Sequence, residues 1–146
     1  MKLNLGCGND FREGWINADA WAERVDIRCD LREPLPFDDE TFSEIYASGI
    51  LEQIGPNEQF REAMNECHRI LMPGGRMTAV VPDSRFAIAN RDPFDCRKFT
   101  QETWNYVALD NHYYQRYGKT YGFKPWKISG IDTNTNGIIT VILEKA

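Results

Sequence analysis

Two glycines, a cysteine and an amide follow at once on an alternating Leu3-Asn4-Leu5 triplet in LNLGCGND. The alternation fits a strand, and Gly6 and Gly8 remove side chains where that strand would end. Bare backbone amides there can meet a bulky or anionic group at close range. A tight strand-to-helix turn with no guest explains the same letters, so the other chemistry-bearing residues have to decide. Asp19 and Asp30 each close a short apolar run of their own. A carboxylate after a second strand offers two oxygens in one plane to a ribose diol. Asp30 is placed to accept from the exocyclic amine of an adenine. Either carboxylate alone also serves as a solvated turn residue or helix cap; together with the glycine turn they favour a nucleoside pocket.

The elements that must position these residues are short. Apolar runs at Lys2 to Gly6, Trp15 to Asp19, Val25 to Arg28, Glu44 to Ser48 and Met77 to Val81 lie between turn residues and read as strands. Phe60, Met64, Cys67, His68 and Leu71 fall on one face of a helix from about Asn57 to Leu71, which Pro73-Gly74-Gly75 stops. A second helix is expected from Thr100, as N-cap, to about Leu109, with Thr103, Trp104 and Val107 available to pack. Strands around Tyr121 to Ser129 and Gly137 to Glu144 close the chain. Strands, a helix and further strands imply an α/β sheet, largely parallel, ending in an antiparallel pair. Ligands in such sheets sit beyond the carboxyl ends of the strands. There the chain places Gly6, Cys7, Gly8 and Asn9, then Asp19 and Ala20, then Asp30 and Leu31, then Ser48 and Gly49.

Composition bounds the rest. The 146 residues suit one domain, 1–146, and 42% hydrophobic content argues for a globular chain. No stretch approaches the ~18 apolar residues of a membrane span, and the start is too short for a secretory leader, so a cytoplasmic protein is expected. Cys7, Cys29, Cys67 and Cys96 are far apart with no C-x-x-C, which fits reduced structural thiols and no metal site. The net charge of −5 argues against a protein that grips nucleic-acid backbone. Residues 1–75 carry 7 basic against 15 acidic side chains, while residues 76–146 carry 10 against 7. That basic excess either assists an anionic substrate or is ordinary surface. Asp132 to Thr140 matches the opening of a calcium loop, but Leu143 stands where a bidentate Glu belongs, and a hairpin turn at Asn136-Gly137 explains the stretch.

In order, LNLGCG, GWINAD, CDLREPLPFDDETFSEIYAS, ILEQI, RILMPGG and VVPD resemble the class I S-adenosylmethionine-dependent methyltransferases, over roughly two-thirds of the chain. The resemblance implies a Rossmann-like sheet of order 3-2-1-4-5-7-6 with strand 7 antiparallel, and S-adenosylmethionine as cofactor. It implies that Gly6, Cys7 and Gly8 pass under the methionine part and that Asp19 binds the ribose hydroxyls. Asp30 with Leu31 would hold the adenine, and Ser48, Gly49 and Ile50 would line the methyl-donor side. Asn9, Ala20 and Glu52 complete the expected cofactor set. An NAD-type fold is the competitor, but Phe11 stands where its fingerprint needs a third glycine.

The chain also departs from the family. Eight residues link the first two strands and five the next two, where a parallel crossover normally takes a dozen or more. The early helices are therefore expected to be single turns or missing. One sheet face would then be thinly covered, offering a second subunit apolar surface; a homodimer is held as a hypothesis. The family often has His where this chain has Gln53, and His near the position of Asp95. Asp83, Asp95, His112 and Glu52 are the candidate bases, needed only if the acceptor enters protonated. Tyr113, Tyr114 and Tyr117 beside His112 either wall an acceptor pocket or pack under a loop. His68 reads as a hydrogen-bonded core or rim residue. The expected activity is methyl transfer to an O or N of a small or surface-exposed acceptor. The alternative is a module that binds S-adenosylmethionine or a nucleoside without transfer.

Overall fold

A computed structural model describes residues 1–146. Strands β1 (Lys2–Leu5), β2 (Ile16–Asp19), β3 (Ile27–Arg28) and β4 (Phe42–Ser48) come first, then helix α1 (Asn57–Ile70). Strands β5 (Leu71–Pro82), β6 (Trp126–Thr133) and β7 (Ile138–Lys145) follow. They form one seven-stranded sheet in the order β3-β2-β1-β4-β5-β7-β6. Pairing is parallel from β3 to β5, and β7 runs antiparallel to both β5 and β6. The Rossmann-like topology is as expected from the sequence.

Helix α1 covers one sheet face. Phe60, Ala63, Met64, Cys67 and Ile70 point into the core and meet Leu3, Leu5, Ile45, Ala47, Met77 and Ala79. Burying each large side chain contributes about 1.5–3 kcal/mol. His68 sits at the rim, bonded to the Pro125 carbonyl at 3.0 Å and edge-on to Trp126.

The opposite face has no helix between β1 and β2, between β2 and β3, or between β3 and β4. Two asparagines do the work of the first missing helix. Asn17, 0% exposed, donates from Nδ2 to the Arg12 and Trp15 carbonyls and to Asp26 Oδ2, and accepts on Oδ1 from the Arg12 amide and Asn4 Nδ2. Asn4 Nδ2 also donates to the Asp10 carbonyl at 2.6 Å. The link between β1 and β2 is thus fastened to the sheet by amides. Glu44, Tyr46, Ser48, Thr78, Val80, Thr140 and Ile142 remain half-buried on this face, with ion pairs Lys2–Glu44 and Arg76–Glu144 among them.

Three local expectations need correction. Helix α1 ends at Ile70, within one residue of the expectation, but Pro73-Gly74-Gly75 is not its cap: it lies within β5, as a bulge against the register shift between Phe42 and Glu44. A Cβ on Gly75 would sit 2.8 Å from the Met72 carbonyl oxygen, so the bulge needs glycine. The second helix is only a 3-10 stretch, Gln101–Tyr106, entered through a bond from the Thr100 amide to Thr103 Oγ1. The strand expected from Tyr121 begins at Trp126, because Tyr114–Gly118 is a π-helical turn continuing into Lys119–Tyr121, closed by Gly122 at φ +91°. The Asn136-Gly137 hairpin is present, with Asn134 Oδ1 accepting from the Asn136 and Ile138 amides.

Asn17→Ala strips five hydrogen bonds from a dry site. Leaving such partners unsatisfied costs about 3 kcal/mol or more. Urea unfolding should show that loss for Asn17→Ala and under about 0.5 kcal/mol for the exposed Asn9→Ala.

Candidate functional site

The carboxyl ends of β1, β2, β3 and β4 open on a cavity of about 470 Å³, lined by Leu5, Gly6, Asp19, Ala20, Trp21, Cys29, Asp30, Leu31, Arg32, Gly49, Ile50, Gln53, Ile54 and Phe94. That volume falls within the range of small-molecule sites. Seven residues expected from the sequence line it: Gly6, Asp19, Ala20, Asp30, Leu31, Gly49 and Ile50.

The bend after β1 is held rigidly. Both the Gly6 and Cys7 amides donate to the Ala18 carbonyl, at 2.8 and 3.0 Å. Gly6 has φ +70°, and a Cβ there would come within 2.6 Å of Ile50 Cδ1. Glycine is required on both counts. Gly8, at φ +50°, donates its amide to Asp19 Oδ2 at 3.0 Å, so the second strand end grips the glycine bend. Cys7 is buried beneath the turn, and burial raises its thiol pKa. Cys7, Gly8, Asn9, Ser48 and Glu52, also expected at the cofactor site, are not among the residues that line the cavity.

Asp19 Oδ1 accepts from the Trp21 and Ala22 amides, at 2.7 and 2.8 Å. Burial works against its charge, but the three amides of Trp21, Ala22 and Gly8 outweigh burial and hold its carboxyl below the ordinary range. It therefore presents a fixed anion at the rim. Asp30 is also lowered, chiefly by its bond to the Arg32 side chain, which meets it at 2.6 Å through Nη2. Arg32 lies in the same wall, so any amine approaching Asp30 shares it with a guanidinium. Leu31, beside it, is buried.

The candidate bases are scattered. Asp83 is fully buried, its Oδ1 and Oδ2 taken by Arg85, which lowers its pKa; it ties the end of β5 and does not face the cavity. His112 is exposed against Tyr113, 4.2 Å between ring centroids. Tyr106, Tyr113, Tyr117 and Tyr121 form a parallel set of rings at the surface, away from the cavity lining. Glu52 and Asp95 adjoin the cavity behind Gly49, Gln53 and Phe94. Leu5, Trp21, Cys29, Arg32, Ile54 and Phe94 line the cavity without being expected as site residues, and Gln53, noted only as standing where the family often has His, lines it too; Gln53 and Ile54 lie within the ILEQI stretch, whereas Phe94 arrives from a distant loop.

Glu52 is only 5% exposed. Burial first, then Asp95 and Asp92, push its carboxyl up to about 7.

Residues 7–79, half of the chain, match the model of the methyltransferase domain, and the chain belongs to that family. S-adenosylmethionine is accordingly its methyl donor. Among solved structures, a SAM-dependent methyltransferase from Archaeoglobus fulgidus superposes with TM-score 0.68 at 16% identity, over 99% of this chain and 85% of that one. The PH0226 protein from Pyrococcus horikoshii OT3 gives 0.66 at 14% identity, over 98% and 80%. The Haloferax volcanii methyltransferase solved with the Trm112 activator gives 0.66 at 13% identity, over 99% and 81%. At these identities the likeness is one of fold. No curated protein matches the sequence. No helix is long and apolar enough to cross a membrane.

The site's residues fit such a donor. A glycine bend that a Cβ would disrupt, an amide-fixed carboxylate on β2 and a second carboxylate beyond β3 border one cavity.

Since the folded pKa of Glu52 lies above its ordinary value, its contribution is favourable at low pH and is lost as pH rises through about 7. Glu52→Gln should thus be more stable than the parent at pH 8.5, by about 3 kcal/mol, with the gap closing below about pH 5. Thermal melts across that range check it.

Proposed function

We propose that this cavity holds S-adenosylmethionine and that the chain transfers its methyl to an O or N of a small or surface-exposed acceptor. Gly6, Cys7 and Gly8 would pass beneath the methionine part. Asp19 would accept from the ribose hydroxyls, and Asp30 with Leu31 would hold the adenine. Gly49 and Ile50 would border the methyl. The observation that carries the reading is the convergence of the glycine bend, Asp19 and Asp30 on one cavity in a chain of the methyltransferase family.

The bound donor supplies an electrophilic methyl on a sulfonium. What this chain contributes is placement. The Ala18 carbonyl and the Gly8–Asp19 bond fix the bend, so cofactor atoms meet a prepared surface rather than a loop. Asp19 keeps its charge because three amides already face it, and a carboxylate oxygen has a lone pair left for a hydroxyl. Phe94 and Trp21, both exposed, stand where they would exclude water once a ligand is present.

A second reading, binding without transfer, is favoured by one observation: none of Asp83, Asp95 and His112 lines the cavity. Four free thiols support a reducing, cytoplasmic setting. The half-covered sheet face is the surface offered to a second subunit, and a sedimentation mass of one chain at micromolar concentration would remove the homodimer.

Calorimetry with S-adenosylmethionine and its demethylated product tests the cofactor reading. Binding of both is expected, weakened about 30-fold, or ~2 kcal/mol, in Asp19→Ala. No heat from either compound overturns it. Binding with no labelled methyl reaching any of a metabolite panel supports the second reading.

A further inference from the structure

Three carboxylates, Glu52, Asp92 and Asp95, adjoin the cavity-lining residues Gln53 and Phe94 in the chain, and no cation is paired to them. Glu52 Oε2 and Asp95 Oδ1 are both buried and have no hydrogen-bond partner. Asp92 meets only neutral groups: the Phe94 amide at 2.9 Å and Gln53 Nε2 at 3.4 Å. None of the three makes an ion pair within 4.0 Å. Lys98, the charged neighbour of Asp95, spends its ammonium on the Ala89 carbonyl and Asn90 Oδ1. Solvated acidic side chains are ordinary, but a buried, unpartnered carboxylate costs several kcal/mol unless something satisfies it.

The arrangement is built, not incidental. The Glu52 carbonyl accepts from the Cys96 and Arg97 amides at 2.9 and 3.0 Å, strapping the loop that carries Asp92, Phe94 and Asp95 onto the turn after β4. Phe94, 78% exposed, brings its ring to the cavity wall. Gly49 has no side chain between the cavity and the carboxylate: a Cβ there would lie 3.7 Å from Glu52 Oε1. These acids do not converge as metal ligands do. A carboxylate pair beside an exposed aromatic ring is instead the chemistry that recognises an ammonium, through charge-assisted hydrogen bonds and a cation–π face.

We propose that Glu52 and Asp95, roofed by Phe94, take the protonated nitrogen of the methyl acceptor, so that the substrate class is a primary or secondary amine. This rests on the cavity holding S-adenosylmethionine. The nitrogen must shed one proton before it carries a free lone pair; that proton passes from the ammonium to Glu52, leaving a neutral amine and a carboxylic acid. Burial, Asp95 and Asp92 all raise the affinity of Glu52 for that proton. On Asp95, burial and Asp92 act in the same direction, opposed by Gln53 and Lys98.

Calorimetry on the full chain, saturated with S-adenosylhomocysteine, tests this with phenethylamine and 1,4-diaminobutane against 2-phenylethanol. Both amines should bind at least tenfold tighter than the alcohol at pH 8, and the preference should shrink as pH falls to 6 and Glu52 protonates. Glu52→Gln should abolish the preference, and a cooperative thermal melt at pH 5 that matches the parent's reports that it folds. Asp95→Asn should reduce the preference. Equal affinity for amine and alcohol overturns the inference, as does a preference that survives Glu52→Gln. So does exclusion of the amines by S-adenosylhomocysteine, or its loss in Glu52→Gln, either of which gives the acids to the donor's own ammonium. Failure of the parent to bind S-adenosylhomocysteine overturns the methyltransferase reading beneath it instead.

Discussion

The buried amide pair of Asn4 and Asn17 is the constraint on which the remaining architecture rests. A parallel strand pair joined by a short link has no helix to cover it, so both the sheet face and the link's backbone need partners. Asn17 supplies both donors and acceptor to five groups around it, and Asn4 reaches the middle of the link at Asp10. A hydrophobic pair there would leave the Arg12 and Trp15 backbone without partners. Because the link is fastened, Gly6 and Cys7 can share the Ala18 carbonyl and Gly8 can reach Asp19. The geometry of the glycine bend is thus an outcome of polar satisfaction on a face that no helix covers between β1 and β2.

Much of this was legible in the residues because periodicity and turn chemistry agree there. Alternation gave β1, β2 and β4; the apolar face of Asn57–Ile70 gave α1; Gly6 and the two aspartates located the cavity edge. Failures fall where local pattern and structure disagree. Tyr113, Tyr117 and Tyr121 recur every four residues but stack at the surface, and a π-helical turn breaks the usual helical period, so the stretch reads as a loop. Pro73-Gly74-Gly75 carries the letters of a helix stop yet resolves a mismatch between β4 and β5, a long-range fact that no window of sequence contains.

The site residues divide the same way. Asp19 and Asp30 announce themselves by following strands. Glu52 does not: in LEQI it looks like any polar residue after a strand, and only the loop at Asp92 to Arg97 folding over it makes it buried and proton-hungry. Asp83 shows the reverse. It closes a strand as attractively as Asp19, but Arg85 two residues later consumes both oxygens, making it a strut. Charge in this protein takes its meaning from what lies across from it.

Interior placement of β1 has a consequence for how the chain assembles. Its neighbours, β2 and β4, are made after it, and the Met1 carbonyl waits for the Ser43 amide. With no early helix to form by itself, the first forty or so residues have little local structure to fall into, so α1 with β4 and β5 is the region able to condense first. The cavity-facing edge formed by β2 and β3 would then be laid onto a finished half-sheet, as the last part of the sheet to be completed.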